Sequence, residues 1–200
     1  MTATSTNLTD QARAILHEWV EAESLRNHCE AVAACMHHFA QKSEADVDLW
    51  TAVGLLHDMD YERYPNHEQG QEGHPYNGVA FLREQGWSDE VCRAILSHAD
   101  YTGVERITPM EKTLYAVDEL SGLVVAAVWV RPDKSVHSLK VSSVRKKMKD
   151  KSFAAKVNRE DIARGAEELG MPLEEVIKEV IAALQAEAPR LGIAGTHTAS

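Results

Sequence analysis

The chain has 200 residues, 44% hydrophobic and 26% charged, a globular balance that excludes a disordered, collagen-like or coiled-coil protein and fits one domain. Its 31 acidic residues outnumber 21 basic ones, for a net charge of -10, which argues against non-specific binding to nucleic acid. The three cysteines, Cys29, Cys35 and Cys92, form no CxxC pair, so neither a disulfide framework nor a thiolate zinc site is expected. The opening segment MTATSTNLTDQ lacks the basic and apolar regions of a signal peptide, and the longest apolar run, Leu123 to Val130, is too short to span a bilayer. A soluble cytoplasmic protein without membrane contact is the expectation.

Taken in chain order, the predicted elements are all helical. The first eight residues are assigned to a flexible end, and Ala12, Ile15, Leu16 and Trp19 then fall on one helical stripe. A second helix is predicted from about Leu25 to Gln41 and a third from about Ala45 to His57, with Leu49, Val53 and Leu56 inward. The segment Asp60 to Gly73 breaks the periodicity and is read as a loop. Pro75 opens a helix to about Gln85, and Ser88 is the N-cap of one ending near His98. Thr108-Pro109-Met110-Glu111 has the form of a capping box, starting a long helix to about Val130.

Beyond Val130 comes a polar segment, and Asn158-Arg159-Glu160-Asp161 then marks another helix start. Gly170-Met171-Pro172 separates that helix from a last one carrying Val176, Ile177, Val180, Ile181 and Leu184 on one face. The last amphipathic stretch, Pro172 to Leu191, is the candidate contact of a homodimer. The organisation expected is a single domain over residues 9–191, with a core at about 25–130, an accessory helical region at 131–191 and a flexible tail from Gly192 to Ser200.

Ten histidines are more than structure requires, and several stand beside acidic residues at predicted helix ends. The order is His28, His57-Asp58, His74, His98, Asp118. Imidazole and carboxylate groups together suit zinc, iron or manganese, and six of them can hold two ions with positions left for water and substrate. Asp118 interrupts the apolar set Leu114, Tyr115, Ala116, Val117, Leu120 and Leu123, where a carboxylate is costly unless it is paired or bound to a metal. His57-Asp58 follows the apolar stretch Leu49 to Leu56, so the pair emerges at the end of a buried helix.

This order resembles the HD-domain superfamily of metal-dependent hydrolases, whose pattern is an early His, an adjacent His-Asp pair and a later Asp on a helical bundle. His28 in SLRNHC, His57 and Asp58 in LLHDMDY, and Asp118 in AVDEL match it over about Leu25 to Val130. His74 in GHPYNG and His98 in LSHAD match the further histidines of dinuclear members. The resemblance implies an all-α HD-domain helical bundle with additional C-terminal helices. It also implies two divalent ions, from among Fe, Mn, Zn, Co, Ni and Mg. Asp58 would bridge them, with His28, His57 and Asp118 completing one position and His74 and His98 the other. The GYP motif of cyclic-dinucleotide phosphodiesterases is missing, and Tyr61 stands where deoxynucleotide monophosphatases have the glutamate of HDxxE.

The first functional expectation is hydrolysis of a small phosphorylated metabolite or nucleotide by metal-activated water. Asp58 is assigned to its catalytic centre, with Asp60, Glu62 and Glu119 as outer acids or bases. A second reading is the mixed-valent di-iron oxygenase chemistry built on the same fold, with Tyr61 and Tyr64 near the metals. A third is a non-catalytic metal-binding regulatory module. The segment Arg131 to Lys151 has a local charge of +6, leaving -16 elsewhere. Arg131, Lys134 and Lys140 are the candidates for a substrate phosphate if this segment covers the cleft.

Overall fold

The computed structural model describes residues 7–65 and 71–195. Among them are nine α-helices, a three-residue 3-10 turn and no strand, an all-α fold as expected. In order these are α1 (Leu8–Trp19), α2 (Glu23–Lys42), α3 (Val47–Leu56), α4 (Tyr76–Glu84), α5 (Asp89–Ser97), the 3-10 turn (Asp100–Thr102), α6 (Pro109–Trp129), α7 (Val141–Lys149), α8 (Arg159–Leu169) and α9 (Leu173–Ala186). Composition marks a change near residue 130, whereas the packing divides the chain within α6, after Leu114, into two compact units.

In the first unit α3 is the central helix, with α1, α2 and α5 packed on it and α4 packed on α5. Every residue from Trp50 to Leu56 is buried, which explains why this stretch has no polar face to read. A Cβ on Gly54 would lie 2.6 Å from the Cα of Ala33, so glycine is what lets the backbones of α2 and α3 approach this closely. Asp46 caps α3 by accepting the N–H of Leu49 at 3.0 Å.

Asn7 and Leu8, counted with the flexible end in the sequence, are held. Asn7 caps α1 through the N–H of Asp10 at 2.7 Å, and the Asp48 carboxylate accepts the N–H groups of Leu8 and Thr9 at 2.7 and 3.0 Å. Residues 1–6 lie outside the described residues. The predicted capping box forms: Glu111 accepts the N–H of Ile107 at 2.6 Å and of Thr108 at 2.9 Å, while Thr108 Oγ1 accepts the N–H of Glu111 at 3.3 Å. Arg93 of α5 reaches the same buried carboxylate at 2.8 Å, tying α5 to the start of α6.

In the second unit α7 and α8 both pack on α9. The helical period assigns no element between Val130 and Asn158, yet α7 forms there, burying only Val144. One apolar anchor in nine residues leaves no stripe to detect. Asn158 caps α8, and Gly170, at φ 68°, ends it in the left-handed conformation that glycine adopts freely. The apolar face of α9, including Val176, Ile177, Val180, Ile181 and Leu184, is buried within the monomer. Residues 192–195, assigned to a flexible tail, are tied down: Val136 N–H donates to Ile193 O at 2.9 Å, and Ser135 Oγ to Ala194 O at 3.0 Å. The remaining tail, 196–200, lies outside the described residues, as do 66–70 of the predicted loop.

Candidate metal centre

The site grows from the end of α3. His57 is its C-terminal cap, fully buried, with ring Nδ1 2.8 Å from the carbonyl of Gly54. A carbonyl only accepts, so Nδ1 carries the proton and the neutral ring presents a lone pair at Nε2. His98 repeats the arrangement at the end of α5, its Nδ1 donating to the carbonyl of Ile95. His74, which precedes α4, is locked differently: its Nδ1 lies 2.6 Å from Asp60 Oδ1. The backbone holds two of these rings and a buried carboxylate holds the third.

All three therefore aim an acceptor nitrogen into one region. His57 Nε2 lies 3.3 Å from His28 Nε2, and His74 Nε2 lies 3.2 Å from His98 Nε2. Asp58 stands between the pairs. Its Oδ2 is 3.8 Å from His28 Nε2 and 3.7 Å from His57 Nε2, while its Oδ1 is 3.2 Å from His74 Nε2 and 3.5 Å from His98 Nε2. Among the described residues these atoms make two donor groups, His28 with His57 and Asp58, and Asp58 with His74 and His98.

In the His74–His98 pair both Nδ1 atoms are committed elsewhere, so two lone pairs face each other and repel unless a cation lies between them. Two nitrogens bound tetrahedrally to one ion at about 2.05 Å stand on the order of 3.4 Å apart, close to both observed separations. The donor set thus fits divalent metal, and imidazole with carboxylate is the ligand chemistry such ions take.

Asp60 is only 1% exposed and uses both oxygens, Oδ2 accepting the N–H of Gly78 at 2.7 Å. A Cβ on Gly78 would come within 3.0 Å of that carboxylate, so the glycine makes room for it. The sequence presented Asp60 as an outer acid or base, and the structure shows it holding the His74 ring from behind. Glu62, the other outer candidate, is exposed and accepts the N–H groups of Glu21 and Ala22 at 2.8 and 3.1 Å, where α2 begins. The hydrogen bonds from Ala22 and Glu21 hold its carboxyl below the usual range.

Tyr101 is a neighbour that motif reading missed, since its only signal is that it follows His98 by three residues. Its hydroxyl donates to the carbonyl of His74 at 2.9 Å. Burial, then the charges of Asp58 and Asp60, push the phenol up and keep it protonated. Tyr61 meets the His74 ring edge-on at 5.3 Å between centroids, whereas Tyr64 touches the site through its backbone, its carbonyl accepting the His74 N–H at 2.8 Å.

The remaining candidates belong to the second unit. Asp118 and Glu119 sit on α6, both half-buried, and the Asp118 carbonyl accepts the Ser121 hydroxyl at 2.9 Å. Arg131 is committed to Asp133 through bonds of 3.0 and 3.2 Å and to Ser138 at 2.7 Å. Hydrogen bonds from Arg131 and Ser138 push the Asp133 carboxyl down to about 2. Lys134 lies over the Trp129 ring at 5.6 Å, and Lys140 is exposed just before α7.

No curated protein and no solved structure matches the chain. The HD domain family does, over residues 25–123, a span that takes in both donor groups and Asp118. By that match, and by the facing imidazoles it encloses, the chain belongs to the HD-domain family, whose members are mostly metal-dependent hydrolases.

Proposed function

We propose that the protein is a metal-dependent phosphohydrolase acting on a small phosphorylated metabolite or nucleotide, with two divalent ions. The observation that carries this reading is the pair of imidazole face-offs on either side of Asp58, each carboxylate oxygen directed to one pair. His28 and His57 would hold one ion, His74 and His98 the other, and Asp58 both. The family pattern assigns Asp118 as a further ligand of the first ion. Bound there, divalent metal supplies a water acidified toward neutral pH and positive charge for the attacked phosphate.

The chain's own residues prepare that chemistry. Gly54 O and Ile95 O fix the tautomers of His57 and His98, so their Nε2 atoms meet an ion without reorganisation. Asp60 does the same for His74 and, as a carboxylate, makes that ring the more basic ligand. Tyr101 donates its hydroxyl to the His74 carbonyl and steadies that backbone.

The experiment pairs metal analysis with turnover. Elemental analysis of protein purified without chelator or histidine tag should find about two ions per chain, lost in Asp58→Ala. A panel of phosphomonoesters and phosphodiesters, with each candidate metal added, should yield a cleaved substrate that Asp58→Ala leaves intact. No cleavage under any metal would overturn the hydrolase reading, and substrate-dependent oxygen uptake by an iron-loaded sample would replace it with the oxygenase.

A further inference from the structure

In the second unit the basic segment Arg131 to Lys151 borders a cavity of about 370 Å³ between the end of α6 and α7. This lies at the small end of the roughly 300–1,000 Å³ range of ligand pockets. The cavity has two kinds of wall. Ala127, Val130, Pro132 and Leu139 supply apolar surface, and Val130 remains 58% exposed although it is a large aliphatic residue. Ser143, Lys146 and Lys147 supply the polar wall from α7. Their spacing of three and four residues places the serine hydroxyl and both ammonium groups on one helix face.

The charges around the cavity do not cancel. With Arg131 paired to Asp133, Lys146 and Lys147 stand against one lining carboxylate, Asp150, whose oxygen is engaged by the N–H and hydroxyl of Ser152. Arg131 is held by Asp133 and Ser138 through Nε and Nη2, which fixes its guanidinium, and Nη1 takes no part in those bonds. Lys147 lies over the Phe153 ring, and no ion pair ties Lys146 among the described residues. A +6 segment alone is ordinarily a solvated surface; here its cations edge an apolar pocket.

We infer that this cavity binds a small organic anion with an apolar body, the body against Ala127, Val130 and Leu139 and a singly charged acidic head at Lys146 and Lys147. Such a ligand buries the exposed aliphatic surface and meets the uncancelled charge together. A wholly polar anion would meet only the rim, and an apolar cation would be repelled.

The probes are octanoate and octanesulfonate, neither a phosphate ester, so the outcome is independent of the reaction at the metal centre. They also separate a planar carboxylate head from a tetrahedral one. Titrated into the full-length protein and followed by amide chemical shifts, one or both should perturb residues around 127–150, while octyltrimethylammonium and inorganic sulfate should not. Ser143→Trp, which fills the cavity from the half-buried face of α7, should weaken binding at least tenfold. K146E/K147E should do the same without changing the cavity's apolar wall. Perturbation confined to other residues, equal binding of octyltrimethylammonium, or unchanged affinity in both variants with folding verified by circular dichroism would overturn the assignment.

Discussion

The two sides of Asp58 present the same kind of donor and secure it by different means. On one side the backbone carbonyl of Gly54 holds His57, and His28 from α2 faces it at 3.3 Å. On the other, the Asp60 carboxylate holds His74, and His98 faces it at 3.2 Å. A carbonyl orients a ring and fixes its tautomer, while a carboxylate also strengthens the ring's remaining nitrogen as a ligand. The difference teaches that the two positions are unequal before any ion arrives. One depends on helix geometry, the other on a side chain that mutation can remove.

The widest break in this comparison is Asp58→Ala, because among the described residues Asp58 is the group shared by both sides. Both ions and more than about 100-fold of the activity should be lost, read by elemental analysis and turnover. Retention of two ions would contradict the shared role. Asp60→Asn should act on one side: metal affinity at the His74 and His98 position should fall by about 10–100-fold. Metal titration followed at the histidine ring nitrogens by NMR would display it, with His28 and His57 still shifting at the original concentration. If both pairs weaken alike, the sides are not independent.

Gly54→Ala tests the side that relies on helix geometry. The added methyl would be 2.6 Å from the Cα of Ala33, so α2 and α3 must separate at a cost of about 1–3 kcal/mol or more. Thermal unfolding should show this as a lowered midpoint, and the same variant should loosen the His28–His57 pair before the His74–His98 pair. Glu62→Gln should disturb neither side and have the smallest effect. The Glu62 carboxyl is held below its usual range in the folded protein, so its stabilisation is present above the unfolded value of about 4.3 and fades as pH falls through the folded one. The gap in stability between wild type and Glu62→Gln should therefore be visible at neutral pH and close in acid, with metal content unchanged.

Much of the architecture was legible in the residues because helices bury one face at a fixed period. Val176, Ile177, Val180, Ile181 and Leu184 marked α9, and Thr108 with Glu111 marked the start of α6 through a capping box that forms as written. α7 was not legible, since one buried residue, Val144, leaves no period. The held ends at Leu8 and Ile193 were missed for a related reason. Their partners, Asp48 and Val136, lie 40 and 57 residues away, and composition carries no trace of such contacts.

The sequence by itself determined the helical class and the order of imidazoles and carboxylates, because periodicity and chemical identity are local properties. It also singled out Asp60 and Glu62 as carboxylates near the pattern. Tertiary structure alone decided that Asp60 turns inward to His74 and Gly78 while Glu62, two residues on, turns outward to the start of α2. Adjacent carboxylates differ in role only through what the fold brings against them, and hydrogen-bond partners distant along the chain are set by packing rather than by spacing.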